Sequence, residues 1–123
     1  MFTTLDICEI NQTTGLLKII KYGACPTYIL RNHEVLELSC QSLPVGIVSP
    51  LDISAIKYQL KENDIIFMIT DGFQISFKQF LEENKMIVDN EHPKDIAHMF
   101  MSMIADEEKN DDMTLITIKL CAQ

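Results

Sequence analysis

The stretch Asp64-Ile-Ile-Phe-Met-Ile-Thr70 constrains the fold most. It is a continuous apolar run bounded by polar residues, rich in β-branched side chains. Side chains alternate between faces along a strand, so an unbroken run predicts a strand buried on both faces. The run ends abruptly at Asp71-Gly72.

The flanking pattern is one of strands. Residues 3–10 alternate and are rich in Thr, Leu and Ile. Asn11 to Gly15 is a turn cluster, and residues 16–22 make a second strand, so the two predict a hairpin. Gly23 to Pro26 breaks the run. Residues 27–31 and 34–39 predict another hairpin across Arg31-Asn32-His33. A loop punctuated by Pro44, Gly46 and Pro50 follows. Residues 53–60 alternate again, with Ile56, Tyr58 and Leu60 on one face.

Beyond Asp71 the period changes. Ser76-Phe-Lys-Gln79 has capping-box spacing and predicts a helix to about Asn84. A second helix is expected from Pro93, which suits a first helical position. Its apolar stripe would be Ile96, Met99, Phe100, Met103 and Ile104. An acidic stretch, Asp106 to Asp112, leads into an alternating strand over residues 113–120. Strands, then two helices, then a strand predict an α+β layered domain. Two short helices cover only one face of such a sheet. The remaining apolar surface calls for a further part of the domain or a partner subunit.

Composition narrows the class. At 123 residues the chain fits one small domain or a piece of a larger one. Its 47% hydrophobic and 23% charged residues argue against disorder. A formal net charge of -8 repels phosphate backbones and anionic lipid, so nucleic acid is not an expected partner. Cys8, Cys25, Cys40 and Cys121 show no C-x-x-C and no zinc-site spacing. They are expected to be reduced thiols, buried or half-buried, in a cytosolic protein. No apolar run approaches the ~20 residues of a membrane span. The start, Met-Phe-Thr-Thr-Leu-Asp, lacks the features of a signal peptide. The chain is expected to be soluble and cytoplasmic.

Chemistry concentrates at two places. Asp71-Gly72 closes the buried strand, and Asp111-Asp112 opens the last one. If those strands are antiparallel neighbours, the carboxylates converge at one sheet edge. Clustered carboxylates repel each other unless a cation relieves them, and oxygen ligands favour magnesium or manganese. Gly72 would let the chain turn sharply after the ligand. Asp-Gly is also a common turn, and an acidic run is commonly a solvated loop, so pattern alone leaves both readings open. His33, His92 and His98 are dispersed, with His33 in a turn and His98 on or beside the apolar helix face. The seven methionines are read as mostly core packing. Neither a Gly-rich phosphate loop nor a G-x-S-x-G elbow is present.

Five segments in order resemble the PP2C-like (PPM-type) Ser/Thr protein phosphatases of bacteria. Thr4 to Ile10 with the Gly15 turn resembles that family's mid-domain hairpin. Lys21-Tyr22-Gly23-Ala24-Cys25-Pro26 to Leu30 resembles its G-A-x-P-x-x-L strand pair. Leu43-Pro44-Val45-Gly46-Ile47 matches its L-P-x-G-I loop. Thr70-Asp71-Gly72 and Asp111-Asp112-Met113-Thr114 resemble its two C-terminal metal motifs. The wording of the second and third segments leans toward the stage II sporulation protein E branch.

The resemblance implies the C-terminal part of an α/β/β/α sandwich, mostly antiparallel, with two helices on one face. It implies that residues 1–123 are the C-terminal half of the domain and that the first metal motifs are absent. Asp71 and Asp111 would be metal ligands, acting in catalysis through metal-activated water, with Gly72 and Asp112 in support. Two Mn2+ (or Mg2+) ions would serve the complete domain. The substrate would be a phosphorylated anti-anti-sigma protein, and the parent would sit at the cytoplasmic face of a membrane. This half alone is expected to be nearly inactive. The alternatives are a non-enzymatic interaction half-domain, dimeric through its uncovered sheet face, or a stress-response phosphatase of the same fold. After Asp71-Gly72, Phe73 to Ser76 lacks the acidic residue that relatives often carry there.

Overall fold

A computed structural model describes residues 4–39, 54–70, 74–104 and 113–121. Within them run β1 (Leu5–Ile10), β2 (Leu16–Tyr22), β3 (Thr27–Arg31), β4 (Glu34–Leu38), β5 (Ser54–Gln59) and β6 (Ile65–Ile69). Two helices, α1 (Gln74–Val88) and α2 (Pro93–Met103), and then β7 (Leu115–Lys119) complete the order. The loop around Pro44, Gly46 and Pro50 lies outside the described residues, as does Cys40.

Each predicted strand forms, and every pairing is antiparallel. The strands make two sheets, ordered β1-β2-β5 and β4-β3-β6-β7. The first hairpin is set by its turn. Asn11 Oδ1 accepts hydrogen bonds from the Thr13 and Thr14 amides at 2.9 and 3.0 Å. Gly15 follows with φ +76, and a Cβ there would sit 3.2 Å from the Gln59 side chain and 3.3 Å from the Leu60 carbonyl. Only glycine suits both the left-handed backbone and this close approach. Gly15 O also accepts from Leu60 N, which ties the turn to the end of β5.

The two sheets pack face to face. Leu17 and Ile19 from one meet Ile29 and Ile66 from the other, with Leu60 closing the layer. Ile56, Tyr58 and Leu60 share one face, as their alternation predicts. The opposite face of the four-stranded sheet carries Tyr28, Leu30, Ile65, Phe67 and Ile69. These pack under Phe77, Phe80 and Leu81 of α1 and Ile96 and Phe100 of α2. Phe77 is central, with ring centroids of Phe67 and Phe100 at 5.2 and 4.9 Å. Burying each such side chain fully contributes about 1.5–3 kcal/mol. The strand over residues 65–69 is thus buried on both faces because it separates two cores.

Arg31 fastens the far end of the sandwich. Its guanidinium donates to both carboxylate oxygens of buried Asp64, the closest at 2.6 Å, and to the Gln59 carbonyl at 3.0 Å. It also lies 5.1 Å from the Tyr58 ring centroid. Asp64 Oδ2 accepts from Lys61 N as well, so the buried charge is well satisfied.

Several helical expectations are corrected. Helix α1 starts at Gln74 and runs to Val88, so Ser76 lies inside it rather than capping it. The buried stripe Phe77, Phe80, Leu81 continues to Val88, and Asn84 sits within the helix, donating to the Phe80 carbonyl. In α2, Pro93 does occupy the start, and His92 caps it by accepting from Lys94 N. Ile96 and Phe100 are buried, but Met103 is 58% exposed and His98 faces solvent. Met86 and Met101 are exposed too, so the methionines are less uniformly core than expected. Among the described residues no helix is long and apolar enough to cross a membrane.

Candidate metal edge

Strands β6 and β7 are antiparallel neighbours, in register from Ile65 opposite Lys119 to Ile69 opposite Leu115. The ladder continues one step past both strands. Thr70 N donates to the Thr114 carbonyl at 3.1 Å, and Thr114 N donates to Thr70 Oγ1 at 2.9 Å. The condition set by the sequence is met: the end of one strand lies beside the start of the other.

Asp71, Gly72, Asp111 and Asp112 themselves lie outside the described residues. In the chain, Asp71 directly follows Thr70, and Asp111 precedes Thr114 by three residues. Among the described residues no three His, Cys, Asp or Glu side chains gather where they could hold a metal ion. The histidines are apart. His33 occupies the β3–β4 turn at φ 65, with its Nδ1 3.1 Å from Asp89 Oδ2 at the end of α1. That contact is a hydrogen bond only when Nδ1 carries a proton.

A cavity of about 250 Å³ opens at the Thr70–Thr114 edge, between the ends of the two sheets. Its walls are Thr4 just before β1 and Asp6 within it, the Gly23 to Cys25 turn, Met68 to Thr70, Thr114 just before β7, and Ile116 within it. Lys21 is completely buried beside it. The Lys21 ammonium donates to Asp6 Oδ1 at 2.9 Å and to the Cys25 carbonyl at 2.6 Å. On the same strand as Asp6, burial pushes the Cys8 thiol up, the Asp6 carboxylate adds to this, and the Lys21 cation offsets part of it.

Lys21 and Asp6 were not singled out by sequence reasoning, although a signal existed. A hairpin across Asn11 to Gly15 that pairs Leu17 with Ile10 also sets Lys21 directly opposite Asp6. Both then share a face with the core residues Leu17 and Ile19, two opposite charges at inward positions of neighbouring strands. The cysteines split: Cys25 is buried and Cys8 half-buried as expected, but Cys121 is exposed.

Comparisons with known proteins agree with this architecture. The family model described as Stage II sporulation protein E (SpoIIE) matches residues 1–120. Stage II sporulation protein E of Bacillus subtilis (strain 168) is 25% identical, over 98% of this chain and 16% of its own length. The chain is also similar to the structure of the phosphatase domain of the cell fate determinant SpoIIE from Bacillus subtilis, Mn presoaked. That match has a TM-score of 0.73 at 23% identity and covers 98% of this chain and 57% of the other. The structure of the PP2C phosphatase domain with a fragment of the regulatory domain, from the same organism, matches with a TM-score of 0.78 at 25% identity. It covers 94% of this chain and 37% of the other. The chain thus spans about a sixth of the curated relative's length.

Proposed function

This chain belongs to the stage II sporulation protein E family, and from that premise we propose that it forms part of a metal-dependent phosphoserine/phosphothreonine protein phosphatase. The observation that carries the reading is the Thr70–Thr114 pairing. It sets side by side the two chain segments that lead into Asp71 and Asp111.

The donor set suits the ion. Two carboxylates brought to one edge repel each other and favour a hard divalent cation, Mn2+ or Mg2+. In this reading Asp71 and Asp111 hold the metal, Asp112 steadies the ligand beside it, and Gly72 turns the chain away. When bound, two such ions supply an activated water and offset charge on the phosphoryl oxygens. The residues of this chain hold and orient. The β6–β7 ladder fixes the spacing of the segments, and the cavity beside it admits a phosphorylated side chain.

We read residues 1–123 as the C-terminal half of the phosphatase domain. The match to little more than half of a solved phosphatase domain supports this. The remaining carboxylates would come from a segment outside these residues. By themselves these residues would then bind Mn2+ weakly and hydrolyse phosphoserine slowly. The substrate we propose is a phosphorylated anti-anti-sigma protein, met at the cytoplasmic face of the membrane to which the parent protein is attached. The family match favours this sporulation role over a stress-response one.

Phosphate release from a phosphoserine peptide tests the reading, measured with Mn2+ for this chain alone and for the full-length protein that carries it. Mn2+-dependent release by the full-length protein, lost on Asp71→Asn, supports it. Release indifferent to Asp71→Asn contradicts it.

A second reading rests on the outer face of the three-stranded sheet. Leu5 and Ile7 there are 38% and 42% exposed, and Ile7 lies opposite Ile20. A non-enzymatic half-domain would dock a second copy on that strip. Dimerisation without Mn2+, seen by sedimentation and abolished by Ile7→Lys, would favour it.

A further inference from the structure

The Lys21–Asp6 pair is the feature that the proposed chemistry leaves unused. A lysine ammonium is costly to bury, and replacing a buried ion pair by apolar residues is often neutral or stabilising. Stability alone therefore gives little reason for a cation between two sheets. Its contacts suggest another role. Lys21 lies on β2, Asp6 opposite it on β1, and the Cys25 carbonyl in the turn that leads to β3. One ammonium thus ties the three-stranded sheet to the start of the four-stranded one. It does so at the end of the sandwich where β6 finishes and β7 begins.

We propose that Lys21 is a positioning residue for the metal edge: it locks β1 and the Gly23–Cys25 turn into one wall of the cavity whose facing wall is Thr70 and Thr114. The proposal rests on reading that edge as the phosphatase centre. Asp6, Gly23, Ala24 and Cys25 line the cavity, and Lys21 does not. The lysine acts only through the groups it holds. It sets the width of the cavity and so the fit of the phosphorylated segment, not the chemistry. Gly23 has φ 66, a left-handed turn two residues before the clamped Cys25 carbonyl.

The test has two arms. In the first, amide hydrogen exchange is followed in this chain for Lys21→Met, with Asp6→Asn as a milder second variant. Exchange at residues 4–7 and 23–27 should rise about tenfold or more while α1 and α2 keep their protection. In the second, the full-length protein is assayed on a phosphoserine peptide. Lys21→Met should raise KM about tenfold, change kcat less than about threefold, and leave the Mn2+ half-saturation point unmoved. Lys21→Arg, which keeps the cation, should recover most of the KM.

Exchange that is unchanged, or that rises equally in the helices, would overturn the proposal, because Lys21 would then be inert or merely part of the fold. A fall in kcat at constant KM would overturn it too. If the unsubstituted full-length protein hydrolyses nothing, the phosphatase reading fails. The exchange pattern then still decides whether Lys21 holds this wall.

Discussion

Thr70 and Thr114 are joined by a backbone bond of 3.1 Å, by a 2.9 Å bond from the Thr114 amide to the Thr70 hydroxyl, and by a longer 3.5 Å bond from that hydroxyl to the Thr114 carbonyl. The second bond matters because it extends the ladder beyond the last regular pair, Ile69 with Leu115. A side chain does here what the backbone alone does further back. Thr70→Val keeps the shape and removes the acceptor. It should cost about 1 kcal/mol in urea unfolding. Thr70→Ser should stay close to the unsubstituted chain. Equal stability of all three would mean that the hydroxyl does not hold the edge.

At the opposite end of the sandwich, Asp64 is 1% exposed and receives Arg31 through two oxygens. Asp64→Ala strands a guanidinium that also spans to β5 through the Gln59 carbonyl. The expected loss is about 3–5 kcal/mol, read from the denaturation midpoint. Arg31→Lys should be costly as well, because an ammonium cannot repeat the paired contact to both Asp64 oxygens. Such losses at this end should leave the metal edge able to bind once the chain is folded.

The thiols give a test of burial and charge together. Burial first, then the Asp6 carboxylate, raises the Cys8 thiol, with Lys21 working the other way. Cys121 is exposed. Alkylation at pH 8, mapped by mass spectrometry, should reach Cys121 before Cys8, with Cys8 about tenfold or more slower. The sign for stability follows from the raised folded value. The protonated thiol contributes fully below the unfolded thiol pKa of about 8.5, and that contribution fades as pH rises through the higher folded value. Stability should therefore fall at alkaline pH, and less steeply in Cys8→Ala.

Strands were legible because each carries its own signal. Alternation over 3–10, the Asn11–Gly15 turn and the apolar run at 65–69 are local patterns, and the structure keeps them. The end of α1 was not, because Asn84 reads as a breaker. Its place within the helix depends on a bond to the Phe80 carbonyl and on Val88 reaching the core. The exposed Met103 was misjudged for the same reason: helical spacing gives a face, while only packing decides how wide that face is. The convergence of β6 and β7 was legible as a condition and is met as far as Thr70 and Thr114. Lys21 was missed because a lysine in a strand looks solvent-facing until its partner across the hairpin is known.

The central claim is that Asp71 and Asp111 form half of a metal site at this edge. Mn2+ binding by calorimetry tests it most directly, on this chain, on the full-length protein that carries it, and on Asp71→Asn in both. Tight binding by the full-length protein, weak binding by this chain alone, and loss of affinity on Asp71→Asn are the predicted results. Binding that is absent from both, or unaffected by Asp71→Asn, would contradict the claim and leave only the fold assignment standing.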